Sequence, residues 1–437
     1  MVDLAVDSIL KLREENPWWE SGKPRMGIPD FKRSDFFYFK KAVVSSGVHV
    51  LIGPRRVGKT TLIDQLIQYL LVERNVDPKR IFFVSLERPY LELFPEKLSG
   101  ALEFFEQHVH VGSVGSDALT YLFIDEAQYD PSWARLLKQY VDQKRNVFAI
   151  VSGSSSTAVY KHTVESGAGR FYTTYMMTMK FRDVLRRRNP ECDKLIYDSS
   201  RTLRDSFVEA CKEGNPSVYE SCAIATLTEL SALPVTPEMV VEEYLLKGGY
   251  PEFYESGDWK KISAHYQMNV FDAIIQKDVV NVFDVKFPQR MRTLLMILLE
   301  LSGSALSREK LAKLLHMSGN LKTLDQYVEA LSEAMLIRTA LQFKLSRVPS
   351  TKEKKFFAAD TGLRNSLLGT TSISTGLERG NVIETVAFNH ALRLGFHMDG
   401  HVRTSGYYWK SITGEERDII LDVRKSHKAV IPIELKS

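Results

Sequence analysis

A glycine-rich stretch, Gly53–Thr60, constrains the fold of this chain more than any other part of its sequence. Its residues, Gly-Pro-Arg-Arg-Val-Gly-Lys-Thr, fit the spacing G-x-x-x-x-G-K-S/T, in which glycines let the backbone curl until successive N–H groups point inward. An apolar segment, residues 48–52, precedes the stretch, and a segment with helical periodicity, residues 61–73, follows it. This order predicts a buried strand, a phosphate-binding turn and a helix whose positive N-terminal end faces the same phosphates.

We expect the whole turn to contact the phosphates of a nucleotide. The residues concerned are Gly53, Pro54, Arg55, Arg56, Val57, Gly58, Lys59, Thr60 and Thr61. The Lys59 ammonium should reach the β- and γ-phosphates, where it also serves catalysis, and the Thr60 hydroxyl should ligate Mg²⁺. The predicted cofactors are therefore a nucleoside triphosphate and Mg²⁺.

A pair of acids, Asp125 and Glu126, directly follows the apolar residues 121–124. A buried strand here would deliver Asp125 to the edge of the sheet where ligands bind, beside the phosphate-binding turn. Asp125 is therefore predicted to hold Mg²⁺, and Glu126 to orient or deprotonate an attacking water as a catalytic residue.

Residues 41–180 alternate between apolar segments and helical segments. Residues 81–86 and 147–153 are further buried-strand candidates, and this alternation predicts an α/β core with a mostly parallel sheet covered on both faces. Residues 1–40 mix charges, Pro and Gly, which indicates an N-terminal arm. The arm carries Trp18 and Trp19, which either pin it to a neighbouring domain or cover the adenine base.

The two motifs together resemble those of AAA-type ATPases, in particular a prokaryotic, archaeal-type family in which an ATPase core precedes a PD-(D/E)xK nuclease-like domain. The resemblance runs from about residue 47 onward and implies that the nucleotide is ATP. It implies that Ser152 or Ser154 is a catalytic polar sensor near the γ-phosphate. It also implies that Arg170, which follows Gly169, is an arginine finger or phosphate sensor, acting either in its own chain or in a partner copy.

The resemblance divides the middle of the chain into a helical lid, residues 181–285, and a winged-helix-like domain, residues 286–345. The lid contains the turn Gly248–Pro251, which we interpret as structural. In the second segment, Ser307 opens a short helix and a longer amphipathic helix follows. Its Lys322, Thr323 and Gln326 suit entry into a DNA major groove, although such a module also serves as a packing or interaction domain.

The last segment, residues 346–437, resembles the smaller, mixed α/β restriction-endonuclease-like domain of that family, beginning at the turn Asp360–Arg364. By this resemblance Glu384, Asp418 and Glu434 would gather Mg²⁺ or Mn²⁺ beside a scissile phosphate, and Lys436 would polarise a water. The alternative is a scaffold that binds DNA or a partner without cutting. The chain ends one residue after Lys436, whereas the family usually continues, so a truncated or reduced domain is expected.

Composition and charge narrow the function classes. No segment approaches the roughly eighteen consecutive apolar residues of a membrane helix, and the first residues do not resemble a signal peptide, so we expect a cytoplasmic protein without a membrane partner. The three cysteines, an odd number without close pairing, argue against a disulfide framework or a zinc site. Residues 346–437 carry 14 Lys and Arg against 10 Asp and Glu, a surplus that favours a polyanionic partner such as DNA.

These observations leave three functional hypotheses. The first is an ATP-hydrolysing switch or motor that acts on DNA, and that forms a homo-oligomer if Arg170 acts in a partner copy. The second is a nucleotide-gated scaffold or signalling protein that turns ATP over slowly and binds a protein partner. The third is an ATP-gated, metal-dependent DNA endonuclease.

Overall fold

The computed structural model describes residues 2–94, 96–153, 170–255, 258–280, 285, 287–317, 319–344, 350–373, 376–399, 405–411, 413–427 and 429–435. The chain divides into two compact units, Met1–Met177 and Thr178–Ser437. Within the described ranges, no helix combines the length and the apolar character needed to cross a bilayer.

The first unit contains five strands and six α-helices in its described part. The strands are β1 Gly47–Ile52, β2 Ile81–Ser85, β3 Thr120–Asp125, β4 Val147–Gly153 and β5 Phe171–Tyr175. The α-helices are α1 Val2–Glu15, α2 Trp18–Ser21, α3 Ser34–Ala42, α4 Lys59–Gln68, α5 Leu98–His108 and α6 Trp133–Asp142. A π-helical turn, Tyr69–Glu73, extends α4, and 3-10 turns lie at Pro78–Arg80, Pro89–Leu93 and Ala127–Tyr129.

The five strands form one sheet in the order β2-β3-β4-β1-β5, and each described pair of neighbours is parallel. The sequence predicted the first four strands and the parallel sheet correctly, because β1 to β4 are nearly continuous runs of buried apolar residues. Strand β5, with the sequence Phe-Tyr-Thr-Thr-Tyr, was missed because its residues are half-buried or exposed at the edge of the sheet. The C-terminal ends of β1 and β3 lie at the same edge of the sheet, which is where the predicted site residues occur.

The N-terminal arm covers β2, the edge strand at the other end of the sheet from β5. The indole N–H groups of Trp18 and Trp19 both donate to the carbonyl of Ile81, at 2.9 and 2.7 Å. The Asn16 amide pairs with both backbone groups of Phe83, at 2.9 and 2.8 Å. Because these side chains occupy the hydrogen-bonding groups of an edge strand, they close it against pairing with another chain. The tryptophans thus pin the arm, which is one of the two roles predicted for them.

The second unit is larger and mixes helices with a second sheet. Its α-helices are α7 Phe181–Arg188, α8 Asp193–Glu213, α9 Ser217–Ser231, α10 Pro237–Lys247, α11 Trp259–His265, α12 Phe271–Ile274, α13 Pro288–Glu300, α14 Arg308–Leu314, α15 Leu321–Glu333, α16 Thr361–Leu368, α17 Gly376–Asp399 and α18 Arg424–His427. Its strands are β6 Ala305–Ser307, β7 Ile337–Gln342, β8 Ser350–Ala358, β9 Ser405–Lys410, β10 Glu416–Val423 and β11 Ala429–Ile433. Shorter turns lie at Pro190–Cys192 and Pro251–Tyr254 (3-10) and at Tyr266–Val270 and Ile275–Val280 (π).

The second sheet has six strands in the order β11-β10-β9-β7-β8-β6. Strands β7 and β9 are parallel, and the other pairs are antiparallel. The predicted lid, winged-helix-like and nuclease-like segments all contribute to this one compact unit. The boundaries predicted near residues 285 and 346 stay predictions.

The turn Gly248–Pro251 and the turn that begins at Asp360 are hydrogen-bonded to each other inside this unit. The Asp360 carboxylate caps α16 by accepting the N–H of Leu363 at 3.1 Å, and it also accepts the N–H of Gly249 at 2.8 Å. Gly248 has φ 63° and ψ −146°, a conformation essentially reserved for glycine. The turn Gly248–Pro251 is therefore structural, as interpreted.

Candidate functional site

The predicted phosphate-binding turn connects β1 to α4. A Cβ atom at Gly53 would lie 2.1 Å from the Met176 carbonyl oxygen, so a side chain does not fit there. Gly58 precedes α4 with φ 95°, in the left-handed region that favours glycine. The ammonium of the buried Lys59 donates to the carbonyls of Gly53 and Pro54 at 2.8 and 3.0 Å. The lysine charge therefore lies against the turn.

The Asp125 carboxylate is the centre of a group of hydroxyl and carboxylate oxygens beside this turn. The Thr60 hydroxyl donates to its Oδ2 at 2.7 Å, and the Ser152 hydroxyl donates to its Oδ1. Asp125 ends β3, Ser152 lies in the adjacent β4 and Thr60 is in the first turn of α4, so the parallel topology brings all three together. Ser152 was one of the two serines predicted to lie here, and the other, Ser154, lies outside the described residues.

Glu126 lies next to this group in a left-handed backbone conformation, with φ 54° and ψ 49°. Its carboxylate accepts a hydrogen bond from the Gln128 amide and lies 4.0 Å from the Arg55 guanidinium. Burial raises the pKa of Glu126, and Asp125 adds to this effect, whereas Lys59 and Arg55 oppose it. A carboxylate with a raised pKa is a better proton acceptor for an attacking water. The sequence analysis missed Gln128, which no motif identified.

A cleft of about 330 Å³ opens beside these residues. Thr60, Asp125 and Glu126 line it from the core, and the arm contributes Glu15 and Arg25. The sequence placed the arm near the nucleotide only through Trp18 and Trp19, as one of two alternatives, and it did not predict Glu15 or Arg25 in the lining of this cleft.

The arm also contacts the phosphate-binding turn and α4 directly. The Arg33 guanidinium donates to the carbonyls of Val57, in the turn, and Met177, both at 2.6 Å. The Arg25 guanidinium forms an ion pair with Asp64 of α4 at 2.7 Å. These contacts tie the arm to the turn and to α4. We therefore infer that the arm positions the turn.

Replacing Arg33 with Met is expected to weaken nucleotide binding about tenfold. The variant loses two charge-assisted hydrogen bonds to carbonyls, each worth about 1.5 kcal/mol or more. Only the bond to Val57 is made with the turn itself, and about 1.4 kcal/mol corresponds to a tenfold change in affinity. Nucleotide titration of the purified variant measures this change. Arg13→Met is the matched control, because Arg13 is an arm arginine that pairs with Glu20 instead. Equal affinities in a folded Arg33→Met variant and the control would contradict the positioning role.

Arg170 lies away from the phosphate-binding turn of its own chain. It directly precedes β5, whose first residue, Phe171, pairs with Val48 at the start of β1. The turn begins at the other end of β1, about 16 Å further along at the usual rise of a strand. The Arg170 guanidinium instead pairs with Asp142 at 2.7 Å. Arg170 therefore lies at the far end of β1 from the turn and pairs with Asp142, and its predicted role at the phosphates, in its own chain or in a partner copy, stays a prediction.

The acids predicted to form a second metal site are engaged with other groups. Glu384 pairs with Lys355 at 2.9 Å and Glu434 with Arg417 at 3.4 Å, whereas Asp418 accepts the backbone N–H of Leu435 at 2.8 Å. Lys436 lies outside the described residues. Within the part of the chain that the structure describes, no group of three or more His, Cys, Asp or Glu side chains is arranged to hold a metal ion. In the described part of the chain these three acids thus have other partners, and the metal site predicted for them stays a prediction.

Comparison with known proteins agrees with the geometry of the first unit. Residues 45–185 match a family model described as an AAA domain, and residues 239–374 match a domain of unknown function (DUF8612). An uncharacterized protein from Methanocaldococcus jannaschii is 22% identical over 361 residues, which cover 81% of this chain and 68% of the relative.

Two solved structures are also similar. A Walker-type ATPase from Pyrococcus abyssi has a TM-score of 0.41 and 14% identity, covering 79% of this chain and 98% of the other. The ORC2 protein from Aeropyrum pernix, described as ADPNP–ADP complexes, has a TM-score of 0.37 and 13% identity, covering 84% and 98%. The AAA-domain match over residues 45–185 agrees with the turn and the parallel sheet and supports an AAA-type P-loop fold for this part of the chain, a fold that suggests nucleotide binding.

Proposed function

We propose that this protein binds ATP and hydrolyses it in a Mg²⁺-dependent reaction at the phosphate-binding turn. The main observation behind the proposal is that Thr60, Asp125 and Glu126 line one cleft at the end of the turn. The Thr60 hydroxyl and the Asp125 carboxylate lie 2.7 Å apart, and oxygen donors of this kind are the ligands that Mg²⁺ prefers. These two residues would hold the ion, which when bound neutralises phosphate charge.

Different residues would bind the phosphates, accept the proton of the attacking water and hold Asp125 in place. Backbone N–H groups of the turn and the N-terminal end of α4 bind the phosphates, and Lys59 neutralises their negative charge. The Glu126 carboxylate accepts a proton from the attacking water, and the Gln128 amide fixes its orientation through their hydrogen bond. Ser152 holds the Asp125 carboxylate in place from β4.

Steady-state ATP hydrolysis with Lys59→Ala tests this proposal. Loss of the lysine charge is expected to reduce turnover to background, because the phosphates then lose their cationic partner in the turn. Lys11→Ala is the matched control, since Lys11 pairs with Asp7 in α1. Turnover that is equal in both variants would assign the activity to a contaminant or to another site.

The finer part of the proposal is that the second unit acts on DNA through a winged helix. Helices α13, α14 and α15 are followed by β7 and β8, and β8 lies between β6 and β7, an arrangement that supports a winged-helix assignment. Ser307 caps α14 by accepting the N–H of Lys310 at 3.2 Å. On α15, Lys322 and Gln326 are exposed and Thr323 is half-buried, so their side chains suit contact with a groove.

Adding duplex or single-stranded DNA to the same hydrolysis assay tests this part separately. A turnover rate that rises with DNA in the parent protein, and rises less in a Lys322→Ala, Gln326→Ala double variant, would support a DNA-coupled ATPase. Lys313→Ala is a suitable control on α14. A rate that DNA leaves unchanged would reject DNA coupling without affecting the ATPase proposal.

A second candidate is a nucleotide-gated scaffold that binds a protein partner. The surface of α9 favours it, because Ile224 and Leu227 are 68% and 58% exposed, and apolar side chains of this kind suit a protein interface. This candidate predicts tight nucleotide binding with slow turnover that DNA does not change. A nuclease is less favoured, since the predicted metal ligands are engaged elsewhere.

A further inference from the structure

A group of charged side chains lies at the centre of the second sheet, away from the phosphate-binding turn in sequence and outside the ATPase proposal. We define the carboxylate cluster as Glu384 of α17 with Glu416 and Asp418 of β10. We propose that the Lys355 ammonium is the permanent counter-cation of this cluster and closes it to divalent metal ions. The second unit would then use this region as a scaffold without metal-dependent cleavage of phosphodiesters.

The position of Lys355 is the first observation. Its side chain is 5% exposed, and its Nζ lies 2.9 Å from Glu384 Oε1 and 2.5 Å from Glu416 Oε1. The ammonium also lies 5.4 Å from the centre of the Tyr408 ring, within the range of a cation–π contact. One buried cation thus bridges an acid from the helix and an acid from the sheet.

The same position is the one that a bridging metal ion would need. Mg²⁺ lies about 2.0–2.1 Å and Ca²⁺ about 2.3–2.6 Å from its oxygen ligands. An ion shared by Glu384 Oε1 and Glu416 Oε1 would overlap the ammonium, and a doubly charged ion beside it would be repelled. The lysine therefore excludes metal by its volume and by its charge.

Two further oxygens of the cluster also have close neighbours. Asp418 Oδ2 accepts the N–H of Leu435 at 2.8 Å. Glu384 Oε2 faces Gly303, where an added Cβ atom would lie 2.8 Å away, so the backbone packs closely against this carboxylate. The cluster therefore contains the residue types of a metal site. Its carboxylates nevertheless contact Lys355 and backbone atoms, as those of an ion pair inside a protein do.

The ion pair has a structural consequence. Lys355 connects β8 with α17 and β10, which contribute Glu384 and Glu416. Removing one partner of such a buried pair leaves an uncompensated charge, which is strongly destabilising unless another cation replaces it. A divalent ion is a cation that fits the vacated position once the lysine is shortened to a neutral side chain.

Binding of Mn²⁺ to the nucleotide-free protein tests the proposal. In an electron paramagnetic resonance titration, the parent protein and Glu384→Gln are expected to bind the same number of Mn²⁺ ions. Lys355→Met is expected to bind one additional ion and to gain thermal stability with added Mn²⁺. Both gains should disappear in the double variant Lys355→Met, Glu384→Gln. Lys354→Met, at the neighbouring position of β8, is the control and should behave like the parent.

Two results would overturn the proposal. An Mn²⁺ ion bound by the parent and lost in Glu384→Gln would show that Lys355 does not close the cluster. A folded Lys355→Met variant without an additional ion would show that something other than the lysine excludes metal. If Lys355→Met does not fold, the comparison of the parent with Glu384→Gln still decides. Because every measurement omits nucleotide, failure here leaves the ATPase proposal untouched.

Discussion

Replacing Glu126 with Gln is expected to lower the rate constant of ATP turnover about a hundredfold or more while nucleotide binding remains nearly unchanged. Glutamine keeps the shape of the side chain and its hydrogen bond with Gln128, but it does not accept a proton from the attacking water. Nucleotide affinity should persist because the turn and Lys59 bind the phosphates independently of Glu126. Steady-state hydrolysis gives the turnover rate, and a nucleotide titration of the same preparation gives the affinity.

Glu87→Gln is the matched control for this prediction. Glu87 lines the same cleft, lies 4.0 Å from the same Arg55 guanidinium and accepts a hydrogen bond from the Tyr129 hydroxyl at 3.2 Å. Its replacement should change turnover only a few-fold, since it is a charge near the site and not the proton acceptor. Similar losses in both variants would mean that the cleft responds to total charge and that Glu126 has no special role.

The core of the candidate site could be predicted from sequence because local patterns determine it. The glycine spacing specifies the turn, and an apolar strand that ends in Asp125 must deliver that carboxylate to the edge of a parallel sheet. Thr60 and Asp125 are 65 residues apart, yet strand topology alone brings them within 2.7 Å. The contact could therefore be predicted from the sheet topology, without knowledge of the individual side-chain positions.

The supporting contacts could not be predicted in this way because they follow no pattern. Arg33 reaches Met177 across 144 residues, and Asn16 reaches Phe83 across 67 residues, by single side chains that carry no periodicity or motif. The polar arm looks like a linker in sequence because its function depends on two or three specific hydrogen bonds. Only the folded chain shows that it borders the cleft.

The prediction of a metal site at the C-terminal end was incomplete for a different reason. The spacing of Glu384, Asp418 and Glu434 matches the order of acids in a nuclease-like domain, but spacing does not reveal which cation neutralises them. Lys355 belongs to no motif, yet its ammonium lies 2.9 Å from Glu384. A metal site inferred from acidic residues alone therefore also requires the positions of the nearby Lys and Arg side chains.

Replacing Gly248 with Ala is expected to destabilise the second unit by about 3 kcal/mol or more. A Cβ atom there would lie 2.1 Å from Asp360 Oδ1 and 2.4 Å from the Gly362 nitrogen, so the turn and α16 would have to separate. The backbone conformation adds a cost of about 1–3 kcal/mol for any residue other than glycine. Asp360 would lose its hydrogen bond with Gly249 and remain buried with fewer partners, which increases the loss. Urea unfolding followed by circular dichroism measures the shift.

Gly369→Ala separates the two contributions. Gly369 also has a positive φ, 70°, but no atom lies within 4 Å of the position of its added Cβ. Its replacement carries only the cost of the left-handed backbone, about 1–2 kcal/mol. The excess loss in the Gly248 variant therefore measures packing against Asp360 together with the extra backbone cost of ψ −146°, compared with the ordinary left-handed conformation of Gly369. If both substitutions shift unfolding equally, the two turns do not constrain each other, and the coupling of the predicted lid to the C-terminal segment would have to come from elsewhere.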